Sequence, residues 1–432
     1  MPRGVGESSR KLMMRARHKQ VRPRRAMKVV LISCGLSAMV LACGPRTPSS
    51  DPVQPGIEVL AADSSAVLAG LRVGLITNHT GMTRDGRPSA ALLLEAGIEV
   101  VALLAPEHGL RGSAGPGETI PDTDDLASGL PVYSLYGERL APDSAVLEDL
   151  DALVFDVQDI GARYYTYVST MARAMEAAAV AGLLFVVADR PNPIGGKLVQ
   201  GNVLDPAFAS FVGLFPVAMR HGMTAGELAL MLNEEFSIGA RLRVIPASGW
   251  RRSEWATETG LPWIPTSPNM PTIESASHYP GTCLFEGTNL SVGRGTDRPF
   301  QQLGAPWLDA EAVLVRLSEA ELPGVHLASV DFTPHGAGDR KYEGVPVRGI
   351  RLRVTDRSLY DPTRTAVALL VEIRKVAGTD WEWRPAAFDR LAGTDRLRIA
   401  VDSEDDVDDI VSGWAEERDR FQKTRSRYLL YP

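Results

Sequence analysis

Apolar runs that break abruptly into polar residues set the pattern of this chain. Val73–Ile76 gives way to Thr77-Asn78-His79-Thr80, and Val101–Ala105 to Pro106-Glu107-His108-Gly109. Ala152–Phe155 gives way to Asp156-Val157-Gln158-Asp159, and Leu183–Ala188 to Asp189-Arg190-Pro191-Asn192. Such short runs, bounded by turn residues, read as buried strands over 71–78, 98–105, 152–157 and 183–188. Helical patterns separate them at Glu58–Gly70, Ser89–Gly97 and the alanine-rich Tyr165–Ala181. Alternating β and α units predict a doubly wound, mostly parallel sheet. Ligands of such sheets bind beyond the carboxyl ends of the strands, so the polar residues at these ends are the first candidates for chemistry.

The alternation persists to about residue 240 and then changes. Short strands at Leu242–Pro246 and Val347–Val354 and helical stretches at Thr363–Val376 and Asp405–Phe421 follow among irregular segments. The expectation is an α/β protein with a Rossmann-like N-terminal domain (57–240) and a smaller α+β C-terminal domain (241–432) closing over the polar rim. Ahead of both, the basic stretch Arg10–Lys28 and the apolar Val29–Ala42 form the n- and h-regions of a secretory signal. Met27-Lys28 is an ordinary signal start, which leaves 1–26 as a long n-region or an early start. The signal ends at Leu41-Ala42-Cys43-Gly44, which resembles a bacterial lipobox with Cys43 as the lipidated residue. Residues 44–56, rich in Pro, Ser and Thr, then read as a tether. These features predict an exported, membrane-anchored lipoprotein of the cell envelope. Cys283 is the one cysteine beyond the lipobox, so no disulfide framework is expected.

Charge and motifs narrow the chemistry. With 46 Lys+Arg against 53 Asp+Glu, nothing suggests nucleic acid as a partner. No G-x-G-x-x-G follows the first strand and no phosphate-binding P-loop occurs, which argues against a dinucleotide. The histidines are scattered without metal-ligand spacing, so neither metal nor cofactor is expected. A G-x-S-x-G elbow is missing, which weakens a serine esterase reading.

Three constellations remain. Glu107, beside His108 and flanked by Gly109, Arg111 and Gly112, sits where a substrate can approach closely; partial desolvation would bring it toward a general-acid pKa, while a helix cap or an ion pair with Arg111 is the plainer alternative. Asp156, Gln158, Asp159, Arg163 and Tyr164-Tyr165-Thr166-Tyr167 combine carboxylates, hydroxyls and flat rings in the way a sugar requires, though some of the tyrosines belong to the core. Tyr279–Phe300 reads as an ordered binding loop, carrying Glu286, Asn289, Arg294 and Thr296 between apolar anchors, and Gly293-Arg294-Gly295 can cradle an anion.

These segments resemble the exo-acting β-N-acetylmuramidases of the NamZ type, glycoside hydrolase family 171. The likeness is carried by Pro106–Gly112, Phe155–Tyr167, Asp189-Arg190-Pro191-Asn192-Pro193, Arg220–Thr224, Ser267-Pro268-Asn269-Met270-Pro271-Thr272 and Glu286–Thr296, and spans Gly56 to the terminal Tyr428–Pro432. It implies two domains with a cleft between them, and release of N-acetylmuramic acid from the non-reducing ends of peptidoglycan fragments. It also makes Glu107 the catalytic residue; the nearby Asp156 and Asp159 are the candidates for a second catalytic group. Asn78, His108, Gln158, Arg163, Tyr164, Tyr167, Arg190, Asn192, Asn269, Glu286, Asn289, Arg294 and Thr296 become candidate substrate ligands. Arg163, Arg190 and Arg294 are the cations available to a 3-O-lactyl carboxylate. An N-acetylated sugar can use its own 2-acetamido oxygen as nucleophile, with Asp156, Asp159 or a nearby tyrosine orienting it, as an alternative to a covalent glycosyl-enzyme. A muropeptide-binding lipoprotein without catalysis is the competing reading, and it gives Glu107 no task.

Overall fold

The computed structural model describes residues 52–62, 67–318 and 320–432. The signal, lipobox and most of the tether read from the sequence lie outside them. Helix α1 (Gly56–Ala62) leads into β1 (Arg72–Thr77), followed by α2 (Ser89–Glu95), β2 (Glu99–Ala105), β3 (Thr123–Asp124) and β4 (Pro131–Ser134). Then come α3 (Ser144–Leu147), β5 (Ala152–Asp156), α4 (Tyr167–Ala181) and β6 (Leu184–Ala188). A two-stranded ribbon, β7 (Gln200–Val203) and β8 (Ala218–Arg220), precedes α5 (Ala225–Glu235) and β9 (Arg241–Ile245).

These strands make a seven-stranded sheet in the order β3-β4-β2-β1-β5-β6-β9. All neighbours are parallel except β3 and β4. Side chains alternate across it. Leu75, Val154 and Val186 face α1 and α2, whereas Ile76, Phe155 and Val187 face the larger core that holds α4 and α5. A sheet covered on both faces requires continuous apolar runs, and β5 is buried at every position. Helix α4 stops where Gly182 adopts φ +70° and its N–H returns to the Ala178 and Ala179 carbonyls. Helix α5 starts with a capping box between Thr224 and Glu227.

The rest of the chain adds α6 (Ile273–Thr282), β10 (Gln302–Ala305), α7 (Ala310–Leu317), β11 (Val325–Phe332) and β12 (Val347–Val354). The three strands form an antiparallel sheet in the order β10-β12-β11. Helix α8 (Pro362–Ala377), buried along most of its length, packs against α6 and α7 and against α10 (Arg396–Asp402) and α11 (Val407–Ser412) of the terminal helical run. That run also contains α9 (Pro385–Ala392) and α12 (Ala415–Arg425). Among the described residues no helix is long and apolar enough to cross a membrane.

Two expectations need correction. Arg241–Ile245, assigned from the sequence to the second domain, is the edge strand of the large sheet and pairs in parallel with β6. Its alternating exposed and half-buried pattern is that of an edge. The single helix expected over Asp405–Phe421 is broken between Ser412 and Ala415, where Gly413 and Trp414 turn the chain. The final residues return to the large sheet. Tyr431 Oη donates to Asp189 Oδ2 at 2.5 Å, Leu430 N to Glu227 Oε1 at 2.8 Å, and Arg252 N to the Pro432 carbonyl at 2.9 Å.

Candidate active site

The strand order reverses between β1 and β5, which opens the crevice beyond their carboxyl ends. Asn78 and Gln158, from the segments that follow these strands, are joined through Thr80. The Thr80 N–H and hydroxyl both donate to Asn78 Oδ1 (2.9 and 2.6 Å), and Thr80 Oγ1 accepts the Gln158 N–H at 3.0 Å. With Oδ1 so occupied, the Asn78 Nδ2 group turns toward the Tyr167 phenol, near enough to favour its ionisation but outside hydrogen-bonding geometry.

Glu107 follows β2 in a turn built from three left-handed residues, His108, Gly109 and Gly112. The Gly117 N–H donates to its Oε1 at 3.0 Å and the Thr166 hydroxyl lies 2.6 Å from its Oε2. Tyr136, just beyond β4, directs its phenol at the same carboxyl; burial first, then the Glu107 charge and hydrogen bond, raise that phenol above its usual pKa. A hydroxyl can donate to a carboxylate or accept from a carboxylic acid, so Thr166 and Tyr136 hold Glu107 in both protonation states. A proton donor passes through both.

Behind Glu107 stands an aromatic wall. Tyr165 and Tyr167 meet edge to face at 4.9 Å, and Tyr279 continues the packing from Tyr165 to Phe300. Both phenols end on Thr266, Tyr165 on its hydroxyl (2.7 Å) and Tyr167 on its carbonyl (2.6 Å). Burial is the main cause that raises both phenols, and the charge of Glu107 adds to it. His79 closes the other side, its Nε2 donating to the Pro265 carbonyl at 2.6 Å while its imidazole occupies the space a side chain on Gly112 would need. Burial lowers the His79 pKa despite that carbonyl, and His108 lowers it further.

Asp159 presents the second carboxylate. Its Oδ2 accepts the Gly161 N–H at 2.6 Å and lies 3.6 Å from His221 Nε2. Its Oδ1 is buried without a partner, and the carboxylate adds to the upward shift of the Tyr165 phenol.

Residues 73–274 match the N-terminal domain and residues 277–431 the C-terminal domain of exo-β-N-acetylmuramidase NamZ. The chain belongs to the NamZ family. It is 42% identical over 388 residues to the peptidoglycan β-N-acetylmuramidase NamZ of Bacillus subtilis (strain 168), covering 89% of this chain and 93% of that protein. A DUF1343 family protein of Bacteroides fragilis superposes with a TM-score of 0.82 at 36% identity, covering 90% of this chain and all of the other. A second protein of that family from the same organism gives 0.73 at 33% identity, covering 88% of this chain and 99% of the other. The NamZ-type N-terminal match runs through β9 and into α6, well past the boundary read from the sequence pattern.

Within this NamZ fold the candidate residues separate into two sets. Glu107 lies near both Tyr165 and Tyr167, Asp159 near the first and Asn78 near the second, while Gln158 and Arg190 line a neighbouring cavity with Thr80 and Trp263, and His108 a separate one with Arg111 and Asp125. His108 Nδ1 lies 2.8 Å from the Ala114 carbonyl and so fixes the turn. Other candidates have their polar atoms engaged inside the fold. Asp156 is fully buried, with both oxygens taken by Arg190 (2.6 and 2.9 Å) and one also by the Ser89 hydroxyl, so it is neither acid nor orienter. Arg163 donates to four backbone carbonyls, Tyr164 to the Pro280 carbonyl, and Asn192 to the Met223 carbonyl at 2.9 Å. Arg294 pairs with Glu286 (2.6 Å) over the Phe300 ring. Asn289 ties its loop to Asp380 and Glu382, and Thr296 bonds back to the Gly293 carbonyl. Asn269 is half-buried just after Thr266. The three arginines offered for a lactyl carboxylate are therefore all committed to internal partners. Sequence reasoning missed Tyr136 and Thr266; Tyr136 had a readable signal, since it too follows a strand end.

Proposed function

We propose that this protein is a glycosidase that removes N-acetylmuramic acid from the non-reducing ends of peptidoglycan fragments, with Glu107 as the proton donor. The B. subtilis relative is named for β-N-acetylmuramidase activity on peptidoglycan, and the likeness extends over nearly the whole of both chains. The observation that carries the reading is the setting of Glu107, a carboxyl at a strand end of the crevice, held by groups that tolerate either protonation state. A receptor for muropeptides has no need of such a holder. Protonating the glycosidic oxygen as the bond breaks is the task it suits.

The test compares wild type and Glu107→Gln on a 4-nitrophenyl β-N-acetylmuramide and on a natural disaccharide. The variant keeps the shape and loses the proton, so kcat on the disaccharide falls by roughly 10²–10⁴-fold. Loss on the nitrophenyl glycoside is smaller because nitrophenolate departs without a proton. Wild-type turnover by the variant on both substrates removes Glu107 from the mechanism.

We also infer export and lipid anchoring at Cys43, on the strength of the charged n-region, the apolar stretch and Leu41-Ala42-Cys43. Cys43→Ser then leaves the protein unprocessed or released from membranes. Unchanged mass and membrane recovery in that variant contradict the assignment.

A further inference from the structure

Near Glu107 the buried polar atoms without a partner include His79 Nδ1 and His221 Nε2, and two others that are of opposite kind. Asn78, 3% exposed, offers the Nδ2 donor, and Asp159, 7% exposed, offers the Oδ1 acceptor. Folded proteins seldom leave such groups unmade, because each loses its bonds to water without replacement. Here the pair adjoins one aromatic wall, since the Asn78 amide faces the Tyr167 phenol and Asp159 lies in the field of Tyr165, whose ring meets that of Tyr167.

The surroundings determine which atom of each side chain is free. Thr80 donates twice to Asn78 Oδ1, which leaves the nitrogen outward. Gly161 donates to Asp159 Oδ2, and His221 is turned toward the same oxygen. The His221 Nδ1 atom accepts the Met223 N–H at 3.1 Å, so a neutral imidazole carries its proton on Nε2, the atom that faces Asp159. Oδ1 is thereby the oxygen left for a ligand. The Tyr165 and Tyr167 hydroxyls already donate to Thr266, and both rings are buried, so neither phenol is a free partner for these two atoms.

A donor and an acceptor beside the same pair of edge-to-face rings match a secondary amide, which has one carbonyl and one N–H. We propose that Asn78 and Asp159 read the 2-acetamido group of the sugar, Asn78 donating to its carbonyl and Asp159 accepting its N–H, and thereby hold the carbonyl oxygen for attack on the anomeric carbon. This rests on the glycosidase reading with Glu107 as proton donor and supplies its second half. In the first step the glycosidic C1–O bond breaks, its electron pair leaves with the oxygen, and that oxygen takes the Glu107 proton. The acetamido oxygen gives a lone pair to C1, while the N–H proton is drawn to the Asp159 carboxylate as positive charge grows on nitrogen. In the second step water attacks C1 and gives a proton to Glu107. The bond between C1 and the acetamido oxygen breaks, its electrons restore the amide, and Asp159 releases the N–H proton. The sugar departs with its anomeric configuration retained.

The test uses 4-nitrophenyl β-muramides whose 2-substituent is acetamido, mono-, di- or trifluoroacetamido, or hydroxyl. With wild type, kcat/KM falls steadily as fluorine weakens the carbonyl oxygen. Asp159→Asn and Asn78→Ala lower kcat/KM on the acetamido glycoside by roughly 10- to 100-fold, the scale of a lost hydrogen bond to a charged or buried partner, and leave the hydroxyl analogue essentially unchanged. Asn78→Asp, which keeps the acceptor that Thr80 needs and removes only the donor, gives the same selective loss if Asn78→Ala does not fold. Rates insensitive to fluorination overturn the attack by the acetamido oxygen, and equal losses on the acetamido and hydroxyl substrates overturn the reader. Wild type inert on every muramide sinks the glycosidase reading itself, a different result from either.

Discussion

Replacing Arg163 by methionine separates a structural arginine from a substrate-binding one. Its Nη1 atom donates to the Asn202 and Val217 carbonyls, both at 3.0 Å, and its Nη2 atom to those of Leu391 and Ala392 at 2.9 and 2.8 Å. One guanidinium thus joins the β7–β8 ribbon to the last turn of α9, where helix carbonyls lack intrahelical partners. Burial lowers its pKa to about 10, which leaves it cationic at neutral pH. Methionine keeps an unbranched apolar stem and removes every donor. Ala392 keeps the Asn202 side-chain bond at 2.8 Å and Val217 keeps the Leu204 N–H at 3.2 Å, so the uncompensated losses fall on the Asn202 and Leu391 carbonyls. At about 1 kcal/mol or slightly more for each, with the loss of the cation at a helix C-terminus, destabilisation comes to about 2–4 kcal/mol. With an unfolding entropy of roughly 2 cal/mol/K per residue over the 376 described residues, Tm falls by about 3–5 °C. Scanning calorimetry and urea unfolding measure this, and kinetics on the folded variant measure KM. Unchanged Tm with a KM raised only for the lactyl-bearing sugar refutes the structural role.

Two other outcomes follow from buried groups. Burial raises the Asp189 carboxyl to about 6, only partly opposed by Thr224, Tyr431 and the Gly226 N–H, against an ordinary 3.8. Because the folded value lies above the unfolded one, its contribution to stability is complete below the unfolded pKa and is lost as pH rises through the folded one. Wild type should lose about 3 kcal/mol relative to Asp189→Asn between roughly pH 4 and pH 8; parallel urea profiles contradict this. Gly112→Ala places a Cβ against the His79 ring at a φ of +70°. It should cost about 1–2 kcal/mol of stability and reduce kcat/KM by more than that loss explains, and full activity in the purified variant counts against a role for the His79 contact.

The central strands were legible because parallel strands covered on both faces must be apolar throughout, as β5 is. Strand β9 was misplaced for the converse reason: Arg241-Leu242-Arg243 is an edge with one wet side, and its pattern resembles the antiparallel strands that follow. Strand β11, absent from the sequence reading, mixes half-buried and exposed positions along its whole length. At the site, strand ends singled out Asn78, Glu107 and Asp159, which lie near the Tyr165–Tyr167 pair. What a pattern does not show is where a buried polar group finds its partners. Arg163 and Asp156 look like ligand-binding residues in the sequence, yet both Arg163 Nη atoms and both Asp156 oxygens are engaged by atoms far along the chain. Thr266 lies in an irregular stretch, and its importance emerges only when two phenols converge on it.

That convergence divides the labour between neighbouring stretches of chain. The segment from Thr259 to Ile264 has no helix or strand, yet it lines the cavity opposite Gln158 and Thr80. It is held just beyond, at the Pro265 carbonyl by His79 and at Thr266 by Tyr165 and Tyr167. Such an arrangement behaves like an interchangeable panel in a rigid frame. Substitutions at Leu261, Trp263 or Ile264 can reshape one side of the cavity while the fastening points, and the side chains beside Glu107, stay in place. Selection for a new glycan has a route here that leaves the bond-breaking apparatus untouched, and a library confined to these positions is where altered preference can be sought at little cost to stability.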